Sequence, residues 1–267
     1  MPTYRLTVEY EGTRYRGWQE QKNARSVQGE LRRAIEEVLD EKVELGGAGR
    51  TDAGVHALAQ VAHLRSRRPM RPVELEREVN DRLPADIHLL AVEPAPQRFH
   101  ARHHATSRSY LYQISRRRTA LAKRFVWWVR RPLDAAAMAR AAARLAGRHD
   151  FARFTEKPAE QESTLVVVER CDIAVVGGLI LVRIAASHYL WKMVRRLVGA
   201  LVEVGAGELS VDDFAALLEP GAASAFDTAA HTAPPSGLFL ERVLYAEEGV
   251  ATPGEPPELV AVTPIAG

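Results

Sequence analysis

The sequence predicts an α+β fold, with helices covering one face of mostly antiparallel sheets. Three observations predict it. Short β-rich runs recur along the chain, amphipathic stretches with helix caps lie between them, and two long β-rich runs meet at Gly177-Gly178, a hairpin signature.

Residues 4–10 alternate and are rich in β-formers, which predicts a first strand; Glu11-Gly12-Thr13 supplies a turn. Ser26 reads as an N-cap for a helix whose apolar face is Val27, Leu31, Ile35, Val38 and Leu39, with Arg32, Arg33, Glu36 and Glu37 outside. A second strand is expected over 57–64. A helix follows from Pro72 to Leu83, stopped by Pro84, and then a third strand over 87–92. The Pro-containing stretch 93–97 reads as the passage between halves. Strands are expected at 110–114, 165–176, 179–186 and 238–245. Helices are expected at 135–145 with Asp134 as cap and Gly147 as stop, at 189–204 with Gly205 as stop, and from a Ser210 cap to Leu218. The Pro/Gly-rich tail reads as mobile. This divides the chain into an N-terminal α+β subdomain (1–100), a C-terminal one (101–245) and a flexible tail (246–267).

With 46% hydrophobic and 26% charged residues, the 267-residue chain is neither disordered nor fibrous. Its one cysteine, Cys171, excludes an internal disulfide and a cysteine-based zinc site, and a reducing, cytoplasmic setting is expected. The first ten residues are too polar for a secretory leader, and the longest uncharged apolar run, 174–182, is too short to span a membrane. The net charge of +2 hides an asymmetry. Residues 1–131 hold 25 Lys+Arg against 16 Asp+Glu, and residues 132–267 hold 11 against 18. Arg dominates, and its planar fork suits phosphate and base recognition, so a nucleic-acid partner is expected.

Candidate chemistry centres on Gly46-Gly47-Ala48-Gly49-Arg50-Thr51-Asp52-Ala53-Gly54-Val55-His56-Ala57. Four glycines in nine residues predict a loop rather than a strand or helix interior, open to a close-lying ligand. Arg50, two residues from Asp52, favours an ionised carboxylate able to act as nucleophile or base. The structural alternative is an Asx turn with Arg50 as its salt-bridge partner. Tyr110 and Tyr112 share one strand face and suit base stacking, though one of them is expected in the core; Arg108 suits a phosphate. Basic and aromatic residues interleave at 187–196, where Arg195 or Arg196 can reach a carboxylate or phosphate. His56, His63, His100, His103 and His104 match no metal-ligand spacing and read as part of the basic surface. No phosphate-binding P-loop and no Gly-x-Ser-x-Gly elbow is present.

Gly49-Arg50-Thr51-Asp52-Ala53-Gly54-Val55-His56-Ala57 resembles the signature loop of the tRNA pseudouridine synthase A family. Residues 10–21 (Tyr-Glu-Gly-Thr-Arg-Tyr-Arg-Gly-Trp-Gln-Glu-Gln), 99–112 and 193–205 resemble three further motifs of that family, in order. The resemblance implies isomerisation of uridine to pseudouridine at positions 38, 39 and 40 of the tRNA anticodon arm, by base flipping and without cofactor or metal. It implies two ferredoxin-like subdomains joined around a central RNA-binding cleft, and a homodimer acting on tRNA with no membrane attachment. Asp52 would be the nucleophile, and Arg50 would pair with it and fill the space of the flipped base. Tyr110 would stack on the uracil and Arg195 would be a second partner for Asp52. Leu238 would line the pocket, with Arg108 and His56 also at the substrate. Attack at C1′, attack at C6 and removal of a ribose proton all use such a carboxylate. A non-catalytic RNA-binding protein is the main rival reading, and a nucleoside or glycoside hydrolase is weaker because no second carboxylate shares the loop.

Overall fold

A computed structural model describes residues 1–156, 163–221, 224–246 and 261–262. In chain order the elements are β1 (Thr3–Tyr10), α1 (Val27–Leu39), β2 (Glu44–Gly47), β3 (His56–Arg65), α2 (Pro72–Asn80), β4 (Ile87–Pro94), β5 (Ala105–Ser115), β6 (Trp127–Trp128), α3 (Ala135–Ala142), β7 (Gly147–Asp150), β8 (Leu165–Val176), β9 (Leu179–Ala186), α4 (Met193–Gly205), α5 (Val211–Ala216) and β10 (Leu238–Tyr245), with four short 3₁₀ turns between them. This is the α+β arrangement the sequence predicts. The tail falls almost wholly outside the described residues. Among the described residues no helix is long and apolar enough to cross a membrane.

The described residues form two compact units, 1–106 with 239–246, and 107–238 with 261–262. The second therefore does not run unbroken to 245. Phe239 and Leu240 pair in parallel with His56 and Ala57 of β3, and these hydrogen bonds bring the last strand into the first unit.

In the first unit the strand order is β4-β1-β3-β10. β1 is antiparallel to both β3 and β4. The other edge of β3 is shared, by β10 at its start and by antiparallel β2 at its end. Helix α1 begins where the Ser26 hydroxyl accepts the Gly29 N–H. It buries Val27, Leu31, Ile35 and Leu39, as their spacing predicts, together with Ala34 and Gln28. Val38 is only half-buried, at the rim of the apolar face. Each large apolar side chain hidden this way contributes about 1.5–3 kcal/mol. Helix α2 stops at Asn80, short of the expected Leu83. The Asn80 side chain pairs with β4 instead, donating to Leu89 O (3.0 Å) and accepting Leu89 N–H (2.8 Å).

Gly46 and Gly47 lie in β2, not in a loop. A Cβ on Gly46 would stand 2.4 Å from the His63 ring, and one on Gly47 would stand 2.5 Å from the Trp18 indole. These glycines admit neighbouring rings against the strand rather than loosening it.

In the second unit antiparallel β5, β9, β8 and β7 follow one another, and two-residue β6 lies parallel to the end of β5. The β8–β9 hairpin turns at Gly177, whose φ of 53° explains the glycine there. Asp134 caps α3 through Ala136 and Ala137 N–H. Helix α4 starts at Met193 rather than Tyr189, because Lys192 is left-handed (φ 61°) and cannot continue a helix N-terminally. Gly205 is its last residue rather than its stop. A Cβ there would meet Met138 of α3 at 2.8 Å, and the left-handed residue is Gly207 (φ 80°).

Candidate active site

The segment between β2 and β3 carries Arg50, Asp52 and His56, and nearly every turn of its backbone is fixed by a partner. Ala48 N–H donates to Val61 O (2.7 Å), and the Gln60 amide donates to Gly49 O (3.0 Å). Thr51 is buried, with its hydroxyl 2.8 Å from the Tyr10 hydroxyl. Burial holds that phenol neutral by pushing its pKa up. Trp18 N–H donates to Thr51 O (3.1 Å), Val55 N–H closes a turn on Asp52 O (3.2 Å), and Gly54, at φ 79°, donates to Tyr15 O (3.3 Å). His56 is buried; its Nδ1 accepts Gly12 N–H (3.0 Å) and its ring stacks on Phe239 at 4.8 Å. Asp52 is thus a half-buried carboxylate on a loop clamped by residues 10–18 and by the start of β10.

The clamp depends on two glycines whose role no local pattern announces. A Cβ on Gly12 would lie 1.9 Å from Val55 O, and one on Gly17 (φ 93°) would lie 2.4 Å from Thr51 O. Their one signal in the sequence is the spacing of small residues among aromatics in 10–18.

Arg50 and Asp52 do not form the expected pair. Arg50 is exposed and makes no ion pair among the described residues. Thr51 between them is drawn inward by Tyr10 and Trp18, and a turn begins at Asp52, so nearness in sequence does not become a side-chain contact.

The other candidates lie in the second unit. Tyr110 and Tyr112 share a face of β5. Tyr112 is the core member, wholly buried, with its hydroxyl donating to Pro234 O (2.7 Å) and a high pKa from burial. Tyr110 is 8% exposed and meets Tyr189 edge-on, ring centroids 4.9 Å apart. The Tyr189 hydroxyl reaches the carbonyls of Arg108 (3.1 Å) and Ile184 (2.8 Å), which fixes the ring that supports Tyr110. Arg108 is largely buried, and its guanidinium donates to Ser187 O (2.7 Å), so it is partly committed to the fold. Arg195 and Ala233 bond reciprocally: Arg195 Nε donates to Ala233 O (2.7 Å), and Ala233 N–H donates to Arg195 O (3.0 Å). Residues 233–238 therefore tie α4 to β5 and deliver buried Leu238. Arg196 meets the Glu156 carboxylate at 2.9 Å.

The histidines are not a plain basic surface. His63 is buried, with its ring centroid 4.4 Å from His100, and its Nδ1 accepts Ala101 N–H (3.2 Å). Burial first, then the charges of His100 and Arg65, push its pKa down from 6.5 to about 4. The folded state therefore binds this proton less readily than the unfolded chain. The stabilisation is complete above pH 6.5 and is lost as pH falls towards 4. Thermal melts are expected to show Tm falling between about pH 6.5 and pH 5, above the range of ordinary carboxylates. A flat profile there would contradict this assignment.

A half-buried aspartate held on a loop between two strands of an α+β unit has the chemistry to serve as a nucleophile or base. The family described as tRNA pseudouridine synthase matches residues 6–104 and 141–246, and this chain belongs to it. A protein named tRNA pseudouridine synthase A from Beijerinckia indica is 43% identical over 96% of this chain and 98% of its own length. One of the same name from Brucella ovis is 42% identical over 92% and 99%. A Cbf5–Nop10–Gar1 crystal structure aligns with 75% of this chain and 54% of its own at 10% identity, with a TM-score of 0.32.

Proposed function

We propose that this protein isomerises uridine to pseudouridine in the anticodon arm of tRNA, with Asp52 as the catalytic carboxylate. The observation that carries the reading is the placement of Asp52 on the clamped loop of a chain 43% identical over nearly its whole length to a tRNA pseudouridine synthase A. The N1–C1′ bond breaks, the uracil turns, and a C5–C1′ bond forms, while C5 loses a proton and N1 gains one. Atoms and electrons balance within the substrate, so the reaction consumes no oxidant or co-substrate. Positive character develops at C1′ as the bond breaks, and a carboxylate stabilises it.

A uracil inside a stem has to leave the stack to reach Asp52. The exposed Arg50 guanidinium suits the emptied place in the duplex, since no ion pair among the described residues holds it elsewhere. Tyr110, braced by Tyr189, offers the uncharged uracil an aromatic platform. Arg195 is assigned to pair with Asp52 in the complex, Leu238 to line the pocket, and Arg108 and His56 to hold their surroundings in place. A cytoplasmic homodimer with two subdomains completes the proposal.

The test is incubation of unmodified tRNA with the protein alone, followed by nucleoside analysis. The expected product is an isomer of uridine with no free uracil; release of uracil would move the assignment to a glycosidase. Phosphate contacts also set the salt dependence. Affinity for tRNA is expected to fall by roughly 10³-fold or more between 50 and 200 mM salt. A flat response in a filter-binding titration would contradict a phosphate-led interface.

A further inference from the structure

The charge asymmetry has a narrower source than the division at residue 131. Residues 1–93 carry 15 Lys+Arg against 16 Asp+Glu, whereas residues 94–133 carry ten against none. Seven of those ten lie in 116–131, the excursion that leaves the end of β5 and returns through β6. Arg131 is committed to Glu203, with contacts of 2.5 and 3.0 Å. Arg116, Arg117, Arg118, Lys123 and Arg124 are all exposed.

This excursion is pinned to the second unit. It buries Ala122, Val126 and Val129. Gln113 donates to Phe125 O (2.9 Å), Ser115 donates to Arg117 O (2.6 Å), and Val129 N–H donates to Ser115 O (3.1 Å). Its outward side is cationic, with Leu121 97% exposed at the tip and Trp128 41% exposed beneath Arg118, whose guanidinium lies 5.9 Å from the ring centroid. Cations held in place before binding lose less conformational freedom when they meet a partner.

We propose that the 116–128 excursion is a second RNA-contact surface, which grips duplex phosphates of the tRNA outside the anticodon arm. Arginine forks with no carboxylate in their stretch of chain match phosphate oxygens, and phosphate contacts position an RNA without reading its bases. The location follows from β5 itself. Arg116 lies six residues beyond Tyr110, about 20 Å along an extended strand. For an RNA lying along β5, a uridine seated at Tyr110 and phosphates at the excursion are separated by more than half a duplex turn. This rests on the function proposed above.

The experiment compares full-length unmodified tRNA with an excised anticodon stem-loop, using wild type and Arg117→Ala/Lys123→Ala/Arg124→Ala. On full-length tRNA the variant is expected to raise KM about tenfold with kcat unchanged. Its salt slope of binding is expected to be shallower by about two to three, at about one for each phosphate no longer neutralised. On the stem-loop, wild type and variant are expected to coincide. Arg117→Lys/Arg124→Lys, which keeps the charge but loses the planar fork, is expected to fall between wild type and the alanine variant. Unchanged KM on full-length tRNA, an equal rise in KM on both substrates, or an altered oligomeric state on sizing would each overturn the inference. Absence of pseudouridine from wild type on both substrates would instead sink the proposed function, and this inference with it.

Discussion

Asp52→Asn is expected to slow pseudouridine formation by about 10⁴-fold or more while leaving tRNA affinity within about twofold of wild type. The substitution keeps the size and polarity of the side chain and removes only its charge and basicity. The loop is held mainly through its backbone and through Thr51, His56 and Gln60, so its geometry should survive the change. Single-turnover kinetics beside a binding titration separates the two quantities. Residual turnover within about tenfold of wild type would show that Asp52 is not the reacting group. Loss of binding together with turnover would show that it is a structural turn residue, as an Asx turn would require.

Gly12→Ala is expected to be nearly as damaging, although Gly12 touches no substrate in this account. Its Cβ would stand 1.9 Å from Val55 O and 2.6 Å from Val55 C, and both are backbone atoms with no rotamer to change. Relief therefore requires the Asp52–Val55 turn to move, along with the Gly12–His56 hydrogen bond beside it. A shift of about 1 Å at a reacting group can cost around 100-fold in rate. Overpacking adds about 1–3 kcal/mol of destabilisation, or a few degrees in Tm for each kcal/mol in a chain of this size. Measured kcat and Tm should fall together. A variant with wild-type kcat would show that the clamp does not position Asp52.

These two expectations mark the boundary of what the sequence discloses. Residues 4–10, 165–176 and 179–186 announce themselves as strands because alternation and β-branching are local properties. Ser26, Asp134 and Ser210 announce helix starts because a cap is satisfied within three residues. Glycines are harder to read. Gly46 and Gly47 resemble loop residues but are strand positions that make room for His63 and Trp18, partners that only the folded chain brings close. Gly205 likewise answers to Met138 rather than to the end of its helix. The return of β10 to the first unit is not legible, since strand pairing across such a long stretch of sequence leaves no local mark.

The candidate site divides in the same way. The Asp52 loop is legible as a motif. Its support by Tyr10, Gly12, Tyr15, Gly17 and Trp18 is not, because the backbone bonds from Trp18 to Thr51 and from Gly54 to Tyr15, and the close approach of Gly12 and Gly17, arise only when the folded chain brings the two segments together. The Arg50–Asp52 pair follows from spacing alone and is absent, since Thr51 turns inward between them. The positive charge is plain in the composition of the first half, yet nearly all of its excess belongs to residues 94–133.

The most direct test of the account is a site-resolved pseudouridine map of unmodified tRNA treated with the full chain, wild type beside Asp52→Asn. New pseudouridine is expected on the 3′ side of the anticodon arm with wild type and none with the variant. Modification by Asp52→Asn at the wild-type level, or tRNA bound by wild type but left unmodified, would contradict it.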